Sequence, residues 1–197
     1  MEPLLMADFV QSYYITNQIE GGYANDKDDL GGETYRGVSR VNWPKWSGWA
    51  IIDTAKNEKN FPQNLDKNIA LQNSIQKFYE MNFWNMINGS LINNQAIANE
   101  VYDNAVNMGV EKSAEYLQRT INILNRNGRL YPDIKVDKKI GNGTINALHT
   151  CIKANGAKRV LNVINGFQVK HYIEAMEKRA TNEKYIGWFD RVEIIWG

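Results

Sequence analysis

The chain has 197 residues, of which 43% are hydrophobic and 11% aromatic, and its formal net charge is +1 at neutral pH. A chain of this length buries a sufficient core without disulfides or a structural metal. The near-zero charge gives no sign of the basic surface that nucleic-acid binding requires, so we expect no nucleic-acid partner.

The thiol and imidazole content is very low. Cys151 is the only cysteine, and His149 and His171 are the only histidines. This excludes a disulfide framework and makes a zinc site difficult to assemble. We therefore expect no metal and no cofactor.

The first residues give no targeting signal. Glu2 and Asp8 are acidic, and the segment lacks both a basic region and an apolar run of signal-peptide or membrane-span length. We expect synthesis in the cytoplasm without a signal peptide and no insertion into a membrane.

The first element is an amphipathic helix over residues 5–20. Positions 9, 13, 16 and 20 fall on one stripe, which places Glu20 at the end of the inward face. Gly21 and Gly22 follow at once, as is typical of a helix end. The glycines and short extended runs over residues 23–38 predict a small β-hairpin.

Further helices follow along the chain. We predict a short helix over residues 50–56, and a longer one over residues 67–83 with Asp66 as its N-cap. Two helical stripes on either side of Gly109 predict a helical hairpin. Thr144 is the predicted cap of another helix, and a long one follows over residues 157–180. The fold class is mainly α, with seven to nine helices and one small β-hairpin.

Residues 19–39 combine two Gly-Gly pairs with five carboxylates, which is typical of a polar site. Hydrolysis of a glycosidic bond needs a protonated carboxylic acid and usually a second carboxylate. Burial on the inward stripe and a helix C-terminus would both raise the pKa of Glu20 and suit it to the first role. The alternative is a solvated glutamate. The second carboxylate is Asp26, Asp28 or Asp29.

A calcium loop is a rival interpretation of the same acids. An EF-hand pattern that starts at Asp26 has Asp28 and Gly31 in the right places. Its fifth place is Leu30 and its twelfth is Gly37, so the bidentate ligand is missing. The calcium interpretation is therefore disfavoured.

The chain resembles glycoside hydrolase family 108, a family of bacterial and phage N-acetylmuramidases, some of them called secretion activators. The resemblance rests on a run near the N-terminus, on residues 102–109 and on several later positions: Glu20-Gly21-Gly22-Tyr23, Asn25-Asp26, Asp28-Asp29, Gly31-Gly32, Thr34, Gly37, Phe78-Tyr79, Phe83-Trp84, Leu117-Gln118, Asp137, Ile140-Gly141, Thr144, Ala147-Leu148, Gly187-Trp188 and Arg191-Val192. It implies a lysozyme-like helical fold, Glu20 as the catalytic acid, and a C-terminal peptidoglycan-binding region. A weaker similarity to phage lysozymes implies Asp29 as the second carboxylate and Thr34 as the residue that orients water.

The chain departs from the family pattern at three positions. Lys27 and Leu30 stand where the family often has prolines, and Tyr35 stands where it often has asparagine. Losing two prolines leaves the loop less pre-organised.

The resemblance further implies the substrate, the organisation and the partners. The expected reaction is cleavage of peptidoglycan between N-acetylmuramic acid and N-acetylglucosamine. The expected substrate contacts are Tyr23, Asn25, Asp28, Tyr35, Asn104 and Asn107. Residues 1–92 form the expected catalytic region and residues 93–197 the peptidoglycan-binding region, packed as one continuous unit. We expect a monomer that acts on the wall in the periplasm or outside the cell, with a holin-type pore as a partner.

Three questions stay open at the level of sequence. A non-catalytic peptidoglycan-binding or secretion-accessory protein on the same scaffold is the main alternative. Chitinase-like action on polymers that lack the lactyl group of muramic acid is a second. The choice between inverting and retaining chemistry depends on the distance between the two carboxylates.

Overall fold

The computed structural model of the chain describes residues 6–17, 22–25 and 32–192. The chain divides into two compact units, one of residues 13–82 and one of residues 1–12 with 83–197. We call the first the sheet unit and the second the helical unit. The predicted division at residue 92 stays a prediction.

The sheet unit contains a small antiparallel sheet and three helices. The division between the units falls within the first helix, after Ser12. The elements, in chain order, are α1 (Phe9–Asn17), β1 (Tyr23–Asn25), β2 (Glu33–Tyr35), β3 (Val38–Ser39), α2 (Gly48–Ala55), a 3-10 turn (Leu65–Lys67) and α3 (Ile69–Tyr79).

The helical unit consists of 3-10 turns and four long helices. A π-helical turn, Glu80–Trp84, leads into it from α3. Its elements are two 3-10 turns (Asn85–Ile87 and Gly89–Leu91), α4 (Gln95–Met108), α5 (Val110–Ile123), α6 (Asn142–Asn155), α7 (Ala157–Lys178) and a 3-10 segment (Ala180–Arg191). No helix of the described residues combines the length and apolar composition that a bilayer-spanning segment needs.

The predicted β element has one strand more than a hairpin. The strand order is β1-β2-β3, and both pairs are antiparallel. The turn between β2 and β3 contains Arg36 and Gly37, which both have positive φ. Two consecutive positive φ values match the twist of a tight hairpin, which explains a glycine at the second place.

The start of α3 corrects one sequence prediction. Its N-cap is Asn68, whose side chain accepts a hydrogen bond from the Leu71 amide at 3.0 Å. Asp66 does not cap the helix, because it lies in the preceding 3-10 turn and pairs with Arg36 at 2.9 Å. An acid two residues before the true cap was therefore mistaken for it.

The start of α6 corrects a second prediction. The helix begins at Asn142, after Gly141, so Thr144 lies inside its first turn instead of capping it. The Thr144 hydroxyl donates to the Lys139 carbonyl at 3.3 Å and accepts from the Gln118 amide at 3.2 Å. Thr144 therefore fastens the loop before α6 to α5.

The predicted helical stripes form the core of the helical unit. The stripe of α4, which includes Ile97, Val101 and Ala105, is buried. α4 ends before Gly109, whose φ of 91° reverses the chain into α5, and the two helices pack together. The Ser113 hydroxyl of α5 donates to the Val101 carbonyl at 2.7 Å.

Two glycines of the helical unit should respond in opposite ways to an added methyl group. A Cβ at Gly89 would lie 2.4 Å from the ring of the buried Trp84, whereas a Cβ at Gly166 would meet nothing within 4 Å. We expect Gly89→Ala to lower the free energy of unfolding by about 1–3 kcal/mol through overpacking. Gly166→Ala, on the exposed face of α7, should raise it by about 0.5–1 kcal/mol. Urea unfolding measures both, and equal effects would contradict the packing at Trp84.

Candidate active site

The sheet sorts the predicted site residues onto two faces. Directly paired residues of neighbouring strands point to the same face, and successive residues of one strand alternate. The pairs Tyr23–Tyr35, Asn25–Glu33 and Tyr35–Val38 therefore share one face, and Ala24, Thr34 and Ser39 share the other. Tyr35 and Val38 are buried, so the first face packs onto the interior of the sheet unit.

Thr34 lies at the centre of the second face. It pairs with Ala24 on one side and Ser39 on the other. Its side chain is half-buried, and its hydroxyl donates to the Gly32 carbonyl at 3.2 Å. A hydroxyl that donates to a fixed carbonyl still offers its lone pairs, so Thr34 can accept a hydrogen bond from water.

Tyr35 is an interior residue of the sheet unit. It is 1% exposed, its hydroxyl accepts from the Gln72 amide at 2.9 Å and donates to Asp66 at 3.4 Å. Its ring stacks on Trp46 at 6.5 Å. Burial, ahead of the opposing hydrogen bond from Gln72, raises the pKa of Tyr35. The sugar contact expected of Tyr35 stays a prediction, which this burial does not favour.

Tyr23 also points inward, and Asn25 is exposed at the strand end. The Tyr23 hydroxyl donates to Glu33 at 3.0 Å, and its ring meets Phe61 edge to face at 4.7 Å. Burial, followed by this hydrogen bond to Glu33, raises the pKa of Tyr23. Asn25 pairs with Glu33 across the strands and keeps its side chain accessible to a ligand.

Glu33 is a carboxylate next to the candidate site whose role sequence reasoning missed. Its side chain is 10% exposed and lies 3.1 Å from Arg40 and 2.7 Å from Lys56. Asp53 pairs with the same two cations at 2.8 and 3.0 Å, and the Arg40 hydrogen bond, followed by that of Lys56, lowers the pKa of Asp53. Glu33 is thus held by two cations and one hydroxyl, which favours a scaffolding role.

Three predicted site residues lie outside the described residues. These are Glu20, Asp28 and Asp29. Their proposed roles as acid, substrate contact and second carboxylate stay predictions. The described neighbours in sequence are Asn17, Gly22, Asn25 and Gly32.

Asn104 and Asn107 lie together on α4, in the helical unit. Asn104 is buried and donates to Glu100 at 3.1 Å, whereas Asn107 is exposed and donates to the Asp103 carbonyl at 2.9 Å. The side-chain amides of both residues therefore donate to other groups of α4. Their roles as substrate contacts stay predictions.

A polar cluster surrounds Glu100 in the helical unit. Asp103 lies 3.3 Å from Arg191 and accepts from the Gln168 amide at 3.0 Å, which also donates to the Tyr172 hydroxyl at 3.1 Å. Burial, followed by the charge of Asp103, raises the pKa of Glu100 to about 8, against the hydrogen bond from Asn104. The raised pKa favours the protonated form of Glu100 at neutral pH, which is the form that a general acid requires.

Sequence reasoning missed Glu100 because the resemblance on α4 begins two residues later, at Tyr102. The spacing of α4 contains the missing signal. Glu100 precedes Asn104 by four residues and Asp103 by three, so all three lie on neighbouring positions of the helix surface. An acid that is one helical turn from another acid, beside the apolar stripe of its helix, is a candidate for a raised pKa.

The raised pKa of Glu100 predicts a stability that depends on pH. The folded state keeps a proton on Glu100 between the ordinary value of 4.5 and about 8, whereas the unfolded state releases it. The contribution of Glu100 to stability is therefore full below pH 4.5 and falls as pH rises towards 8. We expect Glu100→Gln to raise the free energy of unfolding by about 1–3 kcal/mol at pH 8 and by much less at pH 5.

Urea unfolding at both pH values measures this difference. Glu111→Gln, which removes an exposed acid in the first turn of α5, is the matched control and should lower both values by a similar amount of at most about 1 kcal/mol. Parallel pH profiles for the parent and the Glu100→Gln variant would contradict the raised pKa.

Comparison with known proteins adds two family matches. The model of the glycosyl hydrolase 108 family matches residues 14–109, and that of the predicted peptidoglycan domain matches residues 112–193. No curated protein matches the chain significantly.

Among solved structures, the chain is similar to the structure of Brucella abortus SagA. The TM-score is 0.60 at 20% sequence identity, over 93% of this chain and 88% of that one. A likeness at this identity shows the fold alone. The predicted mainly α, lysozyme-like fold with a small sheet is confirmed. The two matches support the family that the sequence resembles, with a peptidoglycan-binding region in the C-terminal half, and indicate a peptidoglycan-related hydrolase-family protein.

Proposed function

We propose that the protein hydrolyses the peptidoglycan strand between N-acetylmuramic acid and N-acetylglucosamine by carboxylate catalysis. The match to the glycosyl hydrolase 108 family over residues 14–109 is the observation that carries the proposal. That range includes Glu20, Asp29 and Thr34. The predicted peptidoglycan domain behind it supports the same polymer as the substrate.

Glu20 is the proposed general acid. The helical spacing that assigns it to an inward stripe is supported at the earlier positions, since Phe9, Tyr13 and Thr16 are all buried. A carboxyl in such surroundings holds its proton at higher pH and can deliver it to the leaving glycosidic oxygen.

Asp29 and Thr34 are the proposed partners of Glu20. Asp29 serves as the general base or as an electrostatic partner, and Thr34 orients the attacking water. The central position of Thr34 on the sheet face opposite the buried Tyr35 supports its role. Asn25, exposed at the end of β1, and Asp28 are the proposed substrate contacts in this part of the chain.

Replacement of Glu20 tests the acid assignment. We expect Glu20→Gln to lower the rate of reducing-sugar release from purified cell walls by at least about 100-fold, because the amide has no proton to transfer. The matched control is Glu100→Gln, which removes the described carboxyl with the raised pKa and should keep at least half of the rate. Circular dichroism checks the fold of both variants. Loss of activity in the control with retention in Glu20→Gln would move the acid role to Glu100.

Paired replacements of the loop acids test the second carboxylate. Asp29→Asn should lose far more activity than Asp28→Asn, since only the first removes the group that acts on the opposite side of the sugar. Thr34→Val, which keeps the shape and removes the hydroxyl, should lower kcat with little change in KM if Thr34 positions water. The reverse order of the two Asp variants would assign the role to Asp28.

A second candidate is a non-catalytic peptidoglycan-binding or secretion-accessory protein. The predicted peptidoglycan domain over residues 112–193 favours it, because binding alone would satisfy that match. Co-sedimentation with cell walls, without any glycan cleavage detectable by mass spectrometry, would establish this function and exclude hydrolysis.

We also infer the substrate preference and route that the family resemblance suggests. Muramic acid polymers should be cleaved in preference to chitin, which parallel digestion of the two polymers measures.

The protein acts as a monomer and reaches the wall with the help of a holin-type pore. A dimeric mass in solution, or lysis unaffected by removal of every candidate pore gene, would contradict these two points.

A further inference from the structure

A cavity of about 780 Å³ lies in the sheet unit, between the turn of residues 42–47, α2 and α3. Aromatic and apolar side chains form much of its wall, including Trp43, Trp46, Phe78 and Met81. Trp43 is 40% exposed, so its ring is available to a ligand. The lining residues are all different from those proposed for catalysis.

Hydrogen bonds hold the aromatic wall in place. The Trp49 indole donates to the Trp43 carbonyl at 2.8 Å, and the Trp46 indole donates to the Ser74 carbonyl at 3.4 Å. Phe78 meets the Trp43 ring edge to face at 4.9 Å. A Cβ at Gly48 would lie 2.2 Å from the Trp46 ring, so only glycine admits this ring position. A preformed wall loses little conformational entropy when it binds a ligand.

The charged side chains among the described residues that line the cavity are positive. Lys45 and Lys77 line it, and none of the described lining residues is acidic. Within the described part of the chain, neither lysine forms an ion pair or a side-chain hydrogen bond. Both side chains are exposed, as is that of Asn73 beside them. The cavity therefore offers two exposed cations and an exposed amide next to an aromatic surface.

This combination selects a particular ligand chemistry. An amino sugar can lay its apolar face on an exposed indole ring, and an amide side chain can bond its acetamido group. The two lysines favour a ligand with carboxylates, which a neutral amino-sugar polymer does not have. The peptide that branches from muramic acid carries free carboxylates and small apolar side chains.

We propose that this cavity binds a muropeptide, with the amino sugar against Trp43 and the carboxylates of its peptide at Lys45 and Lys77. The inference rests on the proposed function for the choice of polymer. It adds to that function a second contact with the substrate, in which the cavity binds the peptide branch as well as the glycan. The cavity thereby favours peptidoglycan over chitin.

Direct binding measurements test the cavity apart from catalysis. The full chain carrying Glu20→Gln is titrated calorimetrically with a soluble disaccharide-peptide muropeptide. In this background the double variant Lys45→Ala with Lys77→Ala should raise the Kd about five- to tenfold. Trp43→Ala should raise it about tenfold or more. Binding of chitotetraose, which carries no carboxylate, should be weaker and unchanged by the two lysine replacements.

Matched controls make the outcome specific. Lys59→Ala with Lys67→Ala removes two exposed lysines of the same unit outside the cavity and should leave the Kd unchanged. Trp43→Phe keeps an aromatic ring and should retain most of the affinity, which separates a lost contact from a lost fold. No muropeptide binding, or equal Kd values for the cavity and control lysine pairs, would overturn the inference.

The same assays separate this inference from the proposed function. Suppose that binding depends on the cavity lysines but the parent protein releases no reducing sugar. The inference about the cavity would then stand, and the hydrolase proposal would be wrong. If the parent hydrolyses the wall but the cavity replacements leave the Kd unchanged, the hydrolase proposal stands and the inference about the cavity is wrong.

Discussion

The ion cluster around Glu33 is the interaction on which the sheet unit depends. The three strands contain three, three and two residues, which is too few for a sheet to be stable by itself. Glu33 on β2 is joined through Arg40 and Lys56 to Asp53 on α2, and Arg40 also lies over the Trp49 ring at 4.6 Å. The sheet is thus joined to a helix through Glu33, whose side chain is only 10% exposed, and through cations that are partly exposed. Removing both cations would be costly, because it would leave the Glu33 carboxylate buried and unpaired.

The attachment fixes the position of both surfaces to which we assign a function. Fixing β2 against α2 presents Thr34 on one face and directs Tyr35 to the interior, where it stacks on Trp46. Trp46 is in turn a wall of the cavity beside α3. The strand that carries the proposed water-orienting hydroxyl therefore also supports the aromatic wall behind it. The same small sheet therefore contributes to both proposed sites.

The helices could be predicted from the sequence because residues that are close together in the chain specify them. The stripe of Ile97, Val101 and Ala105 and the glycine at position 109 specify α4 and its end without any knowledge of the rest of the chain. The family matches likewise follow from linear motifs. The bounds of the helices are less exact, since the true cap of α3 is Asn68, one of several polar residues before the helix that could cap it.

What could not be predicted depended on contacts distant in the sequence. Asp66 was mistaken for a cap because its true partner, Arg36, lies thirty residues away. The inward direction of Tyr35 requires the register of β2, which only the completed sheet defines. Glu100 gains its raised pKa from burial within the helical unit, which no single stretch of sequence reveals. In each case the chemistry was visible in the sequence and the environment was not.

The arrangement of indole rings gives the protein its own optical reporter. Three of its six tryptophans, Trp43, Trp46 and Trp49, surround or support the cavity wall, and the Trp46 and Trp49 rings lie 5.1 Å apart. Rings at that separation exchange excitation energy, so the emission of Trp46 and Trp49 is coupled. Trp43 and Trp46 line the cavity, so a ligand that enters it can change the intrinsic emission of the protein, and its binding can be followed in solution without an added label.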